Sequence, residues 1–302
     1  MSNINFEGRV AVVTGAGAGV GRAHALLLAS RGAKVVVNDL GGDRAGREGG
    51  SGRAADAVVE EIRKAGGVAA ASYDSVADGD GAAAIVGRAL EHFGKIDILV
   101  NNAGILRDVS FAKLTPQDWE AVRQVHLDGT LNVTRAAWPH LREAQYGRVI
   151  NTTSASGLYG NFGQANYSAA KLGIVGLTRT LAVEGASKNI TVNVIAPAAA
   201  SRLTEDILTP ELMDQLRPEY VAPVVAYLAS EGCTDTGLIF AVGGGYVSRV
   251  AIVEAEGVVF DGVPTPEDVA SRFKEICSLD GYAEPANGQE SVALLVSKLN
   301  RG

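Results

Sequence analysis

A glycine-rich turn near the start of the chain constrains its fold more than any other feature. The β-branched run at residues 9–14 (RVAVVT) is typical of a buried strand, and it leads directly into residues 15–21 (GAGAGVG). A helical pattern follows at residues 22–30. This order brings backbone N–H groups to a helix N-terminus, where they can bind a pyrophosphate. The turn therefore predicts a dinucleotide-binding fold, although glycines also serve close packing of a strand against a helix.

Strand-like and helical patterns alternate along most of the chain. The predicted strands are residues 9–14, 34–38, 68–73, 96–100, 148–153, 190–196 and 238–242. This alternation predicts an α/β fold: a Rossmann-type, doubly wound, parallel, seven-stranded sheet with helices on both faces. We expect residues 1–245 to form a dinucleotide-binding catalytic domain. The pattern weakens after that, so residues 246–302 are predicted to be a C-terminal extension packed on the same domain.

Composition excludes several functional classes. The 302 residues carry a net charge of −7, which argues against a nucleic acid or an anionic membrane as the partner and favours a small molecule. Cys233 and Cys277 lack paired spacing, so neither a disulfide framework nor a zinc site is expected. The four histidines are scattered, and no metal is expected. The chain shows no signal core and no apolar run of membrane-spanning length, which predicts a cytoplasmic protein.

An aspartate follows the second predicted strand at the position expected for cofactor selection. Asp39 comes eighteen residues after Gly21 and can accept hydrogen bonds from the adenosine ribose hydroxyls. The same carboxylate repels a 2′-phosphate, and no Arg or Lys lies in the glycine turn. The sequence thus predicts NAD as the cofactor in preference to NADP. A solvated aspartate at a strand end is the alternative.

The candidate catalytic groups lie in and before a long helical run. Tyr167 and Lys171 are four residues apart, so a helix places both side chains on one face. A tyrosine with an ordinary pKa of about 10 needs roughly 3–4 kcal/mol to act as a base near neutrality, and a nearby ammonium is predicted to supply it. Ser154, at the end of a predicted strand, would stabilise charge on a substrate oxygen. Taken alone, Tyr-x-x-x-Lys is a common accident of amphipathic helices.

Together these motifs resemble the short-chain dehydrogenase/reductase family. The resemblance rests on the TGxxxGxG turn at residues 14–21, on Asn-Asn-Ala-Gly at 101–104, and on Ser154 thirteen residues before Tyr-x-x-x-Lys. It implies that the cofactor is bound by Gly15, Gly19, Val20, Gly21, Asp39, Asp74, Ser75, Asn101, Ala103, Gly104, Tyr167, Lys171, Pro197, Ala199, Ala200 and Thr204. It also implies a homo-oligomer, a dimer or tetramer, paired through the helices around 116–142 and 164–186.

One position departs from the common family pattern. The family usually places a catalytic Asn where His126 stands, and that Asn helps to hold a water in a proton relay from the lysine. His126 can do the same through a ring nitrogen, or through a backbone carbonyl exposed at a local kink. It can equally be a buried packing histidine. A second departure follows Pro197, where the family usually has Gly and then Thr.

Five stretches narrow the resemblance to the (3R)-hydroxyacyl-CoA dehydrogenase units of peroxisomal type 2 multifunctional enzymes. They are residues 37–43 (VNDLGGD), 102–107 (NAGILR), 146–148 (YGR), 157–167 (GLYGNFGQANY) and 217–223 (RPEYVAP). This implies NAD-dependent oxidation of a (3R)-hydroxyacyl-CoA, or of a bulky steroid alcohol, to the ketone. The chain ends without a peroxisomal tripeptide, which favours the cytoplasm. An NADPH-dependent 3-oxoacyl reductase and a non-catalytic dinucleotide sensor are the alternatives.

Two loops and two helix starts complete the predictions. Residues 41–52 are rich in glycine and charge, which predicts a mobile surface loop. Residues 204–216 are predicted to form a mobile lid over the substrate. Thr115 and Thr265 are each followed by Pro and, three residues on, by Asp, which predicts helix N-caps.

Overall fold

An eight-stranded sheet forms the centre of the larger part of the protein. The computed structural model describes residues 4–47, 53–199 and 209–300. The strands are β1 (Val10–Thr14), β2 (Lys34–Asn38), β3 (Val68–Ser72), β4 (Ile98–Asn101), β5 (Gly147–Thr152), β6 (Ile190–Pro197), β7 (Ile239–Gly243) and β8 (Tyr246–Val250). Their order is β3-β2-β1-β4-β5-β6-β7-β8, and β1 to β7 pair in parallel. The predicted doubly wound parallel sheet is confirmed.

Helices connect the strands. They are α1 (Gly19–Ser30), α2 (Arg53–Lys64), α3 (Gly79–Phe93), α4 (Pro116–Arg123), α5 (Gly129–Ala144), α6 (Ala155–Tyr159), α7 (Ala165–Gly185), α8 (Pro210–Gln215), α9 (Ala222–Ala229), α10 (Pro266–Ile276) and α11 (Gly288–Leu299). Side chains of α1, α2 and α9 share one core cluster with the sheet, and side chains of α3, α5 and α7 share a second. Helices therefore cover both faces.

Strand β1 shows why a continuous apolar run is needed at the centre. Its residues alternate between the two faces: Val12 packs with Ile85 of α3 and Val133 of α5, whereas Val13 packs with Leu28 of α1. All five residues of the strand are buried. A parallel strand with helices on both sides has no solvent-facing side, so polar residues do not alternate in its sequence.

The sheet has one strand more than the seven predicted. Gly244 and Gly245, which connect β7 to β8, have φ angles of +57° and +83°. Positive φ at both central positions is the geometry of a type I′ hairpin turn, which glycine adopts without strain. The chain therefore reverses and adds β8 at the edge of the sheet. The apolar pattern weakens at this glycine pair, so the sequence pattern does not predict the strand that follows it.

The helix predicted for residues 116–142 is present, with a π-helical turn at Gln124–Asp128 between α4 and α5. The local kink considered at His126 falls at this turn. Such widened turns occur mostly as single insertions in α-helices and frequently at functional sites. This one carries His126, which is only 2% exposed.

Both predicted helix N-caps are confirmed. The Thr115 hydroxyl accepts a 3.1 Å hydrogen bond from the Asp118 N–H at the start of α4. Thr265 and Asp268 form a complete capping box at the start of α10, in which each side chain accepts from the other residue's backbone N–H. These short-range patterns are readable in the sequence because four consecutive residues contain the whole interaction.

The chain divides into two compact units, Met1–Arg249 and Val250–Gly302. The second contains α10 and α11, and two 2.9 Å backbone hydrogen bonds pair Glu254 with Ala283. The packing of a C-terminal extension on the catalytic domain stays a prediction. Within the described ranges, every helix is too short or too polar to cross a membrane.

Candidate active site

A cavity of about 660 Å³ lies at the carboxyl ends of the parallel strands. Its wall includes residues that directly follow β1, β2, β3, β4, β5 and β6. The strand order reverses direction between β1 and β4, and ligands of doubly wound sheets bind at such a switch point. The volume is in the usual range for small-molecule sites. This cavity is therefore the candidate active site.

Most of the residues predicted for the site line this cavity. They are Gly15, Gly19, Val20, Asp39, Asp74, Ser75, Ala103, Gly104, His126, Ser154, Tyr167, Lys171, Pro197 and Ala199. Ala200 and Thr204 lie outside the described residues, as do residues 205–208 of the predicted lid. Its remaining part, 209–216, contains α8. Lid motion stays a prediction.

Gly21 and Asn101 lie behind the cavity wall. A Cβ on Gly21 would lie 2.2 Å from the carbonyl oxygen of Gly15, so glycine allows α1 to pack directly under the turn. The Asn101 amide nitrogen donates to Thr134 and to Asn151, each at 2.9 Å, which ties β4 to α5 and β5. Both residues shape the site through packing and hydrogen bonds inside the protein.

Asn102 lines the cavity, whereas the predicted residue, Asn101, does not. Its amide nitrogen donates to the carbonyl oxygens of Thr14 and Gly15, each at 3.0 Å. The Thr14 hydroxyl in turn accepts from the N–H groups of Asn102 and Ala103. These bonds fix the glycine turn to the loop after β4. The doubled asparagine was the available signal, but the sequence does not show which of the two faces the cavity.

Asp39 is held against the glycine turn by two backbone N–H groups. Its Oδ2 accepts from Gly17 at 2.8 Å and its Oδ1 from Gly41 at 2.7 Å. A Cβ on Gly17 would lie 2.7 Å from Oδ2, so this close approach requires glycine. Each carboxylate oxygen keeps a further lone pair for a ligand hydroxyl. At the start of α1, Ala18 provides no side-chain cap, which leaves the helix N-terminus suited to an anion.

The loop after Asp39 is docked across the cavity rather than free. The carbonyl of Arg44 accepts from the Leu106 N–H at 3.0 Å, and the carbonyl of Ala45 accepts from Arg107 Nε at 2.9 Å. Arg107 also pairs with Asp118 at 3.3 Å. Residues 41–44 and 46 line the cavity. Residues 41–47 therefore form part of the cavity wall, and the predicted mobility of this loop stays a prediction; residues 48–52 lie outside the described residues.

Tyr167 and Lys171 lie on one face of α7. The Lys171 ammonium donates to the Thr152 carbonyl at 2.7 Å, and the Thr153 hydroxyl donates to the Lys171 carbonyl at the same distance. The end of β5 thus anchors the helix at both the side chain and the backbone of Lys171. A Cβ on Gly157 would lie 2.6 Å from Lys171 Cβ, so glycine lets α6 approach α7.

Ser154 caps α6 while it faces the cavity. Its Oγ accepts from the Gly157 N–H at 2.9 Å, and this contact orients the hydroxyl. The hydroxyl hydrogen remains available for donation. A hydrogen bond with Ser154 lowers the pKa of Tyr167, which is consistent with a hydroxyl directed at the phenol oxygen.

Burial has the largest effect on the pKa values of Tyr167 and Lys171. It raises the pKa of Tyr167 to about 12, with smaller contributions from Ser154, which lowers it, and from Asp108, which raises it. Burial also lowers the pKa of Lys171 to about 7. Burial therefore raises the pKa of Tyr167 where the sequence analysis predicts a lowered one, and a lowering by Lys171 in the reactive complex stays a prediction.

Gln164, which lies one turn before Tyr167, also escaped the sequence analysis. It is 8% exposed and lines the cavity. Its amide nitrogen donates to Asp108 at 2.7 Å, and its oxygen accepts from Asn161 at 3.1 Å. A chain of polar groups, buried at Gln164 and exposed at Asp108 and Asn161, therefore borders Tyr167. Its members come from two loops that are distant in sequence, so the pattern is visible only in the fold.

The fold and the site define the class of protein. The chain matches the short chain dehydrogenase family over residues 9–207, which is well over half of its length. It therefore belongs to this family of oxidoreductases.

Among residues 4–47, 53–199 and 209–300, no three His, Cys, Asp or Glu side chains are grouped in a way that would hold a metal ion.

Particular relatives are closely similar. Peroxisomal multifunctional enzyme A of Dictyostelium discoideum is 52% identical over 98% of this chain, which spans 66% of that protein. A short-chain type dehydrogenase/reductase of Mycobacterium tuberculosis is 58% identical over 91% of this chain and 96% of its own length. The structure of full-length peroxisomal multifunctional enzyme type 2 from Drosophila melanogaster has a TM-score of 0.83 and 43% identity, and it matches 99% of this chain and 50% of that chain. The resemblance to type 2 multifunctional enzymes is confirmed.

Proposed function

We propose that the protein is an NAD-dependent dehydrogenase that oxidises the hydroxyl group of a (3R)-hydroxyacyl-CoA to the ketone. The observation that carries this proposal is the arrangement of the cavity. Ser154, Tyr167 and Lys171 form one wall, and the glycine turn with Asp39 forms another. The resemblance of residues 37–43, 157–167 and 217–223 to (3R)-hydroxyacyl-CoA dehydrogenase units supplies the substrate class.

The residues around the glycine turn fit a dinucleotide. The contact between Gly17 and Asp39 presents a carboxylate to ribose hydroxyls, and the uncapped start of α1 suits a pyrophosphate. Asp39 also opposes a 2′-phosphate through charge repulsion, which favours NAD over NADP. When bound, NAD supplies the hydride acceptor and a positive charge on its nicotinamide ring.

Tyr167 is the group that accepts the substrate's hydroxyl proton. Its pKa of about 12 must fall to near neutrality in the reactive complex, which requires about 7 kcal/mol. Lys171 lies 5.6 Å from the ring centroid, so a charged Lys171 contributes about 3 kcal/mol at an effective dielectric constant of about 20. Ser154 stabilises the phenolate and the substrate oxygen through its hydroxyl hydrogen. The phenolate and the ammonium therefore form as a coupled pair.

The experiment that tests this function follows NADH formation across a substrate panel. The panel contains (3R)- and (3S)-hydroxyacyl-CoAs of several chain lengths and several steroid alcohols, each measured with NAD and with NADP. We expect turnover of the (3R)-thioesters with NAD. Turnover of steroid alcohols alone, or a preference for NADP, would overturn the proposal.

A further inference from the structure

The ring of His126 is enclosed between the catalytic tyrosine and the loop after β4. Its centroid lies 5.1 Å from the centroid of the Tyr167 ring, and the two planes meet at 88°. This is the edge-to-face geometry that aromatic pairs prefer. On the other side, a Cβ on Gly104 would lie 2.4 Å from His126 Cε1. The imidazole thus fills the whole space between α7 and the loop.

The ring is also fixed in orientation by the backbone. Its Nε2 lies 2.7 Å from the carbonyl oxygen of Ile105, and the Ile105 N–H points at the same nitrogen at 3.1 Å. Nε2 donates to the carbonyl in one tautomer and accepts from the N–H in the other, so the ring is tied to Ile105 in both. Because Ile105 follows Gly104 directly, one side chain holds the cavity-lining loop and contacts Tyr167.

The imidazole is neutral. Burial, with a smaller contribution from the charge of Lys171, lowers the pKa of His126 to about 3, although the hydrogen bond with the Ile105 backbone acts in the opposite direction. Its Nδ1 is buried and has no hydrogen-bond partner among the described residues. The protonated form of His126 is not populated near neutral pH, so the imidazole cannot serve as a general acid there. Its role must therefore depend on its shape and its contacts.

We propose that His126 is a positioning residue, which acts as an aromatic wedge that fixes the Tyr167 ring against the loop at Gly104 and Ile105. This inference rests on the proposed function, because positioning matters only if Tyr167 is the base. The wedge has two effects. It limits rotation of the phenol, and it keeps water away from one side of the phenol ring.

The second effect gives the inference a pH signature. Besides His126, the charged and polar groups that affect the Tyr167 phenol are Ser154, Lys171 and Asp108. Removal of the imidazole leaves these groups in place but admits water, so the phenolate is less destabilised by burial. We therefore expect the pH of half-maximal oxidation to fall while the maximal rate also falls. A substitution that only destabilised the fold would lower the amount of folded enzyme and leave the pH of half-maximal oxidation unchanged.

Three substitutions separate the ring from its hydrogen bond. His126→Phe keeps an aromatic ring and loses the Nε2 contact with Ile105, His126→Asn keeps a hydrogen-bonding amide and loses the ring, and His126→Ala loses both. We expect kcat to fall roughly 10²-fold in His126→Ala and His126→Asn, since small misplacements of reacting groups cost about this much. His126→Phe should recover most of that loss, and KM should change only a few-fold. The pH profile should shift downward in the Ala and Asn variants.

The comparison between Phe and Asn decides the question even if the Ala variant does not fold. A kcat for His126→Asn equal to or above that of His126→Phe would overturn the inference and indicate a hydrogen-bonding role. A readout independent of turnover is ultraviolet titration of the phenolate, taken as the difference between each protein and the same protein with Tyr167→Phe. Ionisation of Tyr167 at lower pH in His126→Asn than in wild type supports the wedge, and identical titrations refute it. If this shift is seen but wild type oxidises no alcohol, the proposed function fails and the packing relationship stands.

Discussion

The side-chain nitrogen of Lys171 lies 5.6 Å from the centre of the Tyr167 ring; Lys171 is buried and Tyr167 is half-buried. Burial disfavours the charged form of each, so neither ionises readily alone. Each charge stabilises the other, which makes the pair a coupled unit. This relationship explains how a phenol with a pKa raised to about 12 can act as a base when its neighbour becomes protonated.

Substitution of Lys171 tests this coupling. Lys171→Met removes the charge but keeps a long apolar side chain, so we expect kcat to fall at least about 10²-fold, equivalent to the loss of about 3 kcal/mol. The hydrogen bond to the Thr152 carbonyl is lost as well. Steady-state kinetics with a matched Lys188→Met variant on the protein surface provide the measurement and its control. Unchanged kcat in Lys171→Met would show that the phenolate needs no ammonium.

The direction of the pH dependence follows from the same pair. Oxidation requires deprotonated Tyr167, and burial raises its pKa, so the oxidation rate must rise with pH from the neutral range. The reverse reduction requires the protonated phenol, so its rate must fall over the same interval. Rate profiles measured in both directions check the sign. Oxidation that slows with increasing pH while the enzyme stays folded would contradict the role of Tyr167.

Cofactor preference depends on the charge of Asp39. Asp39→Asn removes the charge and keeps one oxygen, which can accept from the N–H group of either Gly17 or Gly41. We expect the ratio of kcat/KM for NAD over NADP to fall by about 10-fold or more, since one tenfold step corresponds to about 1.4 kcal/mol. Asp235→Asn, an exposed position before β7 at the opposite edge of the sheet, should leave the ratio unchanged. An unaltered ratio in Asp39→Asn would refute the assignment.

Gly104 and His126 should be energetically coupled. Gly104→Ala places a Cβ 2.4 Å from His126 Cε1, so we expect the free energy of unfolding to fall by about 1–3 kcal/mol, as in other overpacked sites. His126→Ala opens space for that methyl group and should remove most of the additional loss. A double-mutant cycle based on denaturant unfolding measures the coupling. Additive effects would show that the two residues do not press on each other.

His24, on α1, predicts a pH dependence of stability. Both ring nitrogens are buried without a hydrogen-bond partner among the described residues, and burial lowers the pKa to about 3. The unfolded chain therefore binds a proton that the folded chain refuses, so stability is lost as pH falls from about 6.5 toward 3. We expect His24→Leu to raise the free energy of unfolding by about 1–3 kcal/mol near neutrality and to flatten this loss. Urea unfolding at several pH values measures both effects, and a steeper acid loss in the variant would contradict the account.

Local patterns made much of the site predictable. The strand, glycine turn and helix at residues 9–30 lie together because the chain places them in sequence. Tyr167 and Lys171 share a face because four residues make about one helical turn. Thr115 was readable as a cap because its partner is three residues away. Each of these features needs only short-range geometry.

Other features depend on contacts between distant segments. Asn102, and not Asn101, lines the cavity because Thr14 and Gly15 bind its amide, and no local pattern distinguishes the two asparagines. The loop at 41–47 has a mobile composition, yet residues 106 and 107 hold it in place. The raised pKa of Tyr167 results from burial by several elements. Sequence spacing records none of these effects.

The account's central claim is that Tyr167 is the base of an NAD-dependent alcohol oxidation. The most direct measurement compares Tyr167→Phe with wild type, with NADH formation from a (3R)-hydroxyacyl-CoA and NAD binding measured on the same preparations. We predict that turnover falls by about 10³-fold or more, since general base catalysis supplies about 10²–10⁴-fold, while NAD affinity is retained. Turnover within about 10-fold of wild type, well above what loss of such a base allows, would contradict the claim.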